Sequence, residues 1–135
     1  MNTAGAEALG PHIACLTSLQ RFDIGSNCID AAGAAALGPY IASLTSLPRL
    51  DFEGNAISAA GRHLGGLKSL QYLDLGRSEL RDAGIEIQGP HIASLTSLTH
   101  LSLEQNQIGD AGAEALGQLI ASLTSLQYLS LEQTA

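Results

Sequence analysis

Two recurrent positions carry the side chains best suited to chemistry or recognition. Arg21, Arg49, Tyr72, His100 and Tyr128 fill one, and Asp23, Asp51, Asp74, Ser102 and Ser130 fill the other, two residues on. Guanidinium, ring, carboxylate and hydroxyl groups in rows are the materials of a protein-binding surface. Catalysis asks for more. His12 and His91 stand where other copies of the pattern have Tyr40 and Leu119, which reads as packing. No carboxylate or cysteine recurs near a histidine at a metal-ligand spacing. Cys15 aligns with Ser43, Ser94 and Ser122, and Cys28 with Ala56, Glu79 and Gln107, so neither reads as a catalytic thiol. Phosphate-binding glycine loops, H-E-x-x-H and C-x-x-C are absent. The expectation is a non-enzyme with no cofactor and no metal.

The elements that must position these rows are repeats. IACLTSLQRF, IASLTSLPRL, IASLTSLTHL and IASLTSLQYL begin at Ile13, Ile41, Ile92 and Ile120, and a shorter variant surrounds Leu70. Each runs into L-x-x-L-x-L-x-x-N, as in Leu47-Leu50-Phe52-Asn55 and Leu98-Leu101-Leu103-Asn106. Starts at Leu19, Leu47, Leu70, Leu98 and Leu126 are spaced by 28, 23, 28 and 28 residues, so one unit has lost five residues, between Gly61 and Leu67. The domain reading is a single array over 1–135: a half unit 1–18, units starting at 19, 47, 70 and 98, and a truncated unit 126–135.

Two periods alternate inside a unit. In FDI, LDL and LSL, apolar residues recur every second position, as in a strand with one buried face. The following Ala-rich stretch has helical spacing, with Ala113, Leu116, Ile120 and Leu123 on one face. Neither element is long enough to stand alone. Stacked on copies of itself, each buries a continuous Leu/Ile/Ala ladder.

LSLEQNQIGDAGAEALGQLIASLTS resembles a leucine-rich repeat of the ribonuclease-inhibitor-like type, and GAEALG and GAAALG are similar to the GALA-type repeats of bacterial effectors. The resemblance implies an α/β solenoid: a curved parallel sheet on the concave side and short helices on the convex side. It implies an asparagine ladder of Asn27, Asn55 and Asn106 inside the bends, with Ser78 and Thr134 departing from it and leaving looser turns. It also implies non-catalytic protein recognition through the concave face, by Arg21, Asp23, Arg49, Asp51, Tyr72, Asp74, His100, Ser102, Tyr128 and Ser130. Relatives include Ran GTPase-activating proteins, so regulation of a small GTPase through Arg21, Arg49 or Arg77 is the alternative. A plain structural spacer is a third reading.

Gly33, Gly61, Gly84 and Gly112 precede the helical stretches at a fixed offset and read as close packing or capping. Gly10-Pro11, Gly38-Pro39 and Gly89-Pro90 predict a kink or a break in the helix, because proline lacks an N–H and clashes one turn back. Gln118 replaces the proline, so that helix is expected to run on.

Composition closes other doors. Hydrophobic residues make up 45% and aromatic residues 4% of the chain, with no valine or tryptophan. The formal charge of -7 argues against nucleic acid and anionic membranes. On the strand face Arg21, Arg49 and Arg77 stand against Asp23, Asp51, Asp74, Glu53, Glu104 and Glu132, which points to a basic protein partner. Neither a basic, apolar leader nor an apolar run of about 20 residues is present, so the expected home is the cytoplasm, with export as an effector as the other option. No polar capping unit is recognisable at either end. The strand at Leu126–Leu131 should therefore expose its ladder and its edge, and self-association through it is expected.

Overall fold

Strands of two or three residues follow from the short apolar alternations. The computed structural model describes residues 1–133 and sets five strands side by side. They are β1 (Phe22–Asp23), β2 (Arg49–Asp51), β3 (Tyr72–Asp74), β4 (His100–Ser102) and β5 (Tyr128–Ser130). Sheet order equals chain order and every pair is parallel. Leu50 lies beside Leu73, Leu73 beside Leu101, and Leu101 beside Leu129. The ladder extends past the formal strands: the N–H groups of Ile24, Phe52, Leu75 and Leu103 donate to the next coil at 2.9–3.0 Å.

Between strands the chain runs through α1 (Thr3–Ile13), α2 (Ala31–Ala42), α3 (Gly61–Leu64), α4 (Arg81–Ala93) and α5 (Asp110–Ser122). The starts of α1 and α2 follow from their caps. Asn2 accepts from the Gly5 N–H at 3.0 Å and Asp30 from the Gly33 N–H at 2.7 Å. The missing five residues have a visible effect: a 3₁₀ turn (Ile57–Ala59) and the single-turn α3 replace a full helix. Gln88, where other units place Leu37 and Leu116, reaches back and donates to the Ser58 carbonyl at 2.7 Å.

The core lies between sheet and helices. Leu50, Phe52, Leu70, Leu73, Leu98, Leu101 and Leu103 are fully buried, each in a column contributed by successive coils. Medium-sized side chains in register fill this layer, which is how a chain with so few aromatic residues builds a core. No helix of the described residues is long and apolar enough to cross a membrane.

Two expectations are corrected. The Gly-Pro pairs do not break their helices: α1, α2 and α4 each run through their proline, and α5, with Gln118 instead, is no longer than α4. Pro11, Pro39 and Pro90 sit exposed in the last turns, and the carbonyls they leave unpartnered belong to Glu7, Ala35 and Glu86, none of them buried. The glycines have a separate reason. A Cβ on Gly10 would lie 2.2 Å from the Tyr40 ring, and one on Gly38 would lie 2.3 Å from the His63 ring. Each glycine seats a ring from the next coil.

The second correction concerns the stripe on α5. Leu116 and Leu123 are buried as expected, but Leu119 and Gly112 complete the stripe, while Ala113 is exposed and Ile120 half-buried. Their counterparts Ala34, Ile41, Ile85 and Ile92 are buried in inner coils. The Ala113 side of α5 is the one turned away from α4, and burial in a stack depends on having a coil above and below.

Candidate binding face

Parallel register brings each recurrent position into a row. In the first row the Arg49 guanidinium carbon lies 3.6 Å from the centroid of the Tyr72 ring. Tyr72 stacks on His100 at 4.1 Å and 16°, and His100 on Tyr128 at 4.2 Å and 3°. Strands about 4.8 Å apart hold planar groups at stacking distance when the same column carries them in successive coils. Burial within the row pulls the His100 imidazole below its ordinary pKa, against the opposing pull of Asp74, and pushes the Tyr72 phenol up.

The second row stacks Asp23 beside Asp51 and Asp51 beside Asp74. Each folds back on its own backbone: the N–H groups of Gly25, Glu53 and Gly76 donate to the Asp23, Asp51 and Asp74 carboxylates at 3.3, 3.0 and 2.9 Å. Ser102, expected to face outward, is only 5% exposed, because the flanking rows cover it. Ser130 donates its hydroxyl to Glu104.

Glu53 and Glu104, outside the expected set of site residues, join this row. Asp51, Glu53 and Asp74 each bring a carboxylate oxygen within 4.8 Å of the others, close enough to share a cation. Burial raises the Glu53 carboxyl above its ordinary value, followed by repulsion from Asp74. Asp74 is also raised, by burial first and by Asp51 and Glu104 after it, while the Gly76 N–H pulls the other way. The sequence already counts both glutamates in the acidic strand face, and their recurrence two residues after the second row is what places them beside it.

The arginines do not all neutralise the aspartates. Arg21 pairs with Asp23 at 3.2 Å, Arg77 with Glu53 at 3.6 Å, and Arg49 turns to Tyr72. An acidic row thus runs beside a row of rings. A cleft of about 170 Å³ between α4 and α5, lined by Ile85, Gly89, Ala93, Ala115 and Leu119 among others, contains none of these residues.

The loops that end the strands hold the face in place. Asn106, fully buried, accepts from the N–H groups of Ser78 and Leu80 at 2.9 and 3.2 Å and donates to the Leu75 and Glu104 carbonyls at 2.8 and 3.3 Å. Asn55 reaches back in the same way, accepting from Ile29 and donating to the Ile24 carbonyl at 2.8 and 2.9 Å. Ser78 reaches only Gly76 of its own coil, at 3.1 Å. Thr134 lies outside the described residues. Ser26, Arg77 and Gln105 take left-handed backbone with φ of 57°, 50° and 53°, and Gly54 fills the same position with φ 74°.

A leucine-rich repeat family model matches residues 15–38 and 94–117, two segments in the same phase of the repeat. Those two segments match leucine-rich repeats, and the fold is the α/β solenoid of such repeats. Their α/β solenoid explains why the matched segments run from one helix end, through a strand, into the next helix. Comparison with curated proteins gives no match.

Proposed function

We propose that this leucine-rich repeat array is a non-catalytic recognition module of the ribonuclease-inhibitor-like, GALA-related kind. It takes a basic protein segment on its strand face. The single observation behind this reading is the ring row Arg49–Tyr72–His100–Tyr128 running beside the acidic row of Asp51, Glu53, Asp74 and Glu104. Stacking holds the rings rigid before a partner arrives, which lowers the entropy lost on binding. Unbalanced carboxylates that raise one another's pKa are relieved by an incoming cation. The contact set comprises Arg21, Asp23, Arg49, Asp51, Tyr72, Asp74, His100, Tyr128 and Ser130, with Ser102 buried beneath it.

Recognition is favoured over GTPase regulation because Arg21, Arg49 and Arg77 are each engaged within the face. His100, covered by a ring on either side, is poorly placed to move a proton. The exposed free thiols of Cys15 and Cys28 suit a reducing compartment such as the cytoplasm.

The test is calorimetric titration with Lys/Arg-rich, neutral and Asp/Glu-rich peptides. Basic peptides should bind, less tightly as salt rises. Tyr72→Ala with His100→Ala should abolish binding, and Ile87→Asn on the helix side should leave it unchanged. Equal binding of all three peptide classes, or full binding by the double variant, would refute the reading.

A further inference from the structure

The helix layer repeats one seat, a glycine nine residues before the leucine that opens each strand motif: Gly10 before Leu19, Gly38 before Leu47, Gly61 before Leu70 and Gly89 before Leu98. At three of these steps the next coil fills the seat so closely that a Cβ would run into it. The Tyr40 ring lies on Gly10, the His63 ring on Gly38 and the Gln88 amide on Gly61. Gly89 differs. The nearest atom to a Cβ there is Leu119 Cδ1 at 3.6 Å, an ordinary contact. Leu119 is the repeat equivalent of Tyr40 and has no ring to lay on the seat.

The space left over is the cleft of about 170 Å³ between α4 and α5. An apolar cavity of about 150 Å³ takes up one benzene molecule. The cleft therefore has the size of the ring that the chain itself places on Gly10. Its walls are two consecutive helices of the stack. Ile85, Gly89 and Leu119 form a buried apolar floor, and Glu86 and Gln118 stand exposed at the mouth, one from each helix. Among the described residues Glu86 has no ion-pair partner. An apolar slot with a few polar groups at its mouth is how small-molecule sites are built, and a free carboxylate there selects a cation.

We infer that the α4–α5 cleft is a binding site for a small arylalkylamine. One aromatic ring takes the open seat over Gly89, and its ammonium group lies at the mouth beside the Glu86 carboxylate and the Gln118 amide oxygen. The site lies on the helix side of the solenoid and is separate from the strand face proposed to bind a basic protein segment.

The probe is phenethylamine, titrated into the 135-residue chain and followed by methyl NMR. Phenylacetate carries the same kind of ring on the opposite charge, and propylamine carries the charge without the ring. Phenethylamine should give saturable ring-current shifts at the methyls of Ile85, Ala93, Ala115 and Leu119, with a Kd of about 0.1–1 mM for a ligand this small. Phenylacetate and propylamine should bind more weakly by about fivefold or more. In Glu86→Gln the affinities for phenethylamine and phenylacetate should converge.

Two variants fill the seat. Leu119→Tyr supplies the missing ring from the chain, as Tyr40 does on Gly10, and should abolish binding while raising Tm. Gly89→Ala puts a methyl on the floor without a clash and should weaken binding at least about fivefold in a chain that still folds, as circular dichroism checks. Tyr72→Ala with His100→Ala, on the strand face, should bind phenethylamine as wild type does. Absence of saturable shifts at the cleft methyls overturns the inference. So does phenylacetate binding as tightly as phenethylamine, Gly89→Ala binding like wild type, or loss of binding in the strand-face variant, which would put the ring on the other side of the solenoid.

Discussion

The His100 ring lies 4.2 Å from the Tyr128 ring and 3° from parallel with it, while its other face covers Tyr72 at 4.1 Å. One side chain therefore ties three strands together on the outer face of the sheet, opposite the leucine core. Strand pairs of only three residues have few other cross-strand contacts on that side. His100→Ala removes both stacked pairs and should destabilise the protein by about 1–2 kcal/mol, taking each pair at the usual value for aromatic contacts. His100→Phe should restore most of the loss. Denaturant unfolding of the three proteins checks this, and equal midpoints for wild type and His100→Ala would show that the stack contributes nothing.

The acidic row sets the response to pH. Asp74 and Glu53 have carboxyls raised above their ordinary values, chiefly by burial and then by neighbouring carboxylates. A group that holds its proton more tightly when folded contributes stability below its unfolded pKa and loses it as pH rises through the folded pKa. Above the folded pKa that contribution is gone. Asp74→Asn keeps an oxygen to accept the Gly76 N–H and removes the charge. It should raise Tm by about 1–4 °C at neutral pH. The gain should shrink as pH falls through the carboxylate range, where wild-type Asp74 is itself neutral. Thermal unfolding of both proteins across pH 4 to 8 measures it. A gain that stayed constant over that range would remove charge repulsion as the cause.

The repeat made much of this legible. Spacing of the Leu, Asn and strand motifs locates every strand and the helical segments after β1 to β4, because each copy votes for the same period. The rows of the face follow, since parallel register sets equal positions side by side. What a row does internally was not legible. Arg49 had two neighbours to choose from, an aspartate and a ring, and only the stacked geometry selects Tyr72. Local rules also misread Gly38-Pro39. The proline signals a helix break, but its exposed position in the last turn makes the lost hydrogen bond one that water replaces. Ala113 was misjudged because period alone cannot tell which side of a helix has a neighbour.

The asparagine ladder predicts an asymmetric pair of substitutions. Asn106→Ala strips partners from buried N–H groups of Ser78 and Leu80 and from the Leu75 carbonyl. Leaving buried polar groups unpaired costs about 1–3 kcal/mol each, so a total loss of about 3 kcal/mol or more is expected. Ser78→Asn runs the other way. A surface cleft of about 250 Å³ has Ser78, Asn55 and Ala56 among its lining residues. The asparagine amide would reach the Phe52 carbonyl, the repeat equivalent of the Ile24 and Leu75 carbonyls that Asn55 and Asn106 engage. A gain of about 1 kcal/mol follows for a new internal hydrogen bond. Denaturant midpoints test both, and a destabilising Ser78→Asn would show that this coil is built around serine.

Glycine positions in the helices give the sharpest sign test. In an open helix, Gly→Ala stabilises by about 0.5–1 kcal/mol, since alanine has less chain entropy to lose. Gly117 has nothing within 4 Å of a built Cβ, so Gly117→Ala should show that gain in dilute monomer. Gly38 sits under the His63 ring, where the same Cβ would lie 2.3 Å away. Gly38→Ala must push that ring aside, and overpacking of this kind costs about 1–3 kcal/mol. The sign should therefore reverse between two glycines that share one repeat position. Removing the ring should restore it: in a His63→Ala background, Gly38→Ala should become neutral or stabilising. A double-mutant cycle at positions 38 and 63 reads the coupling directly. Zero coupling would mean that Gly38 is there for its backbone rather than for the ring seated on it.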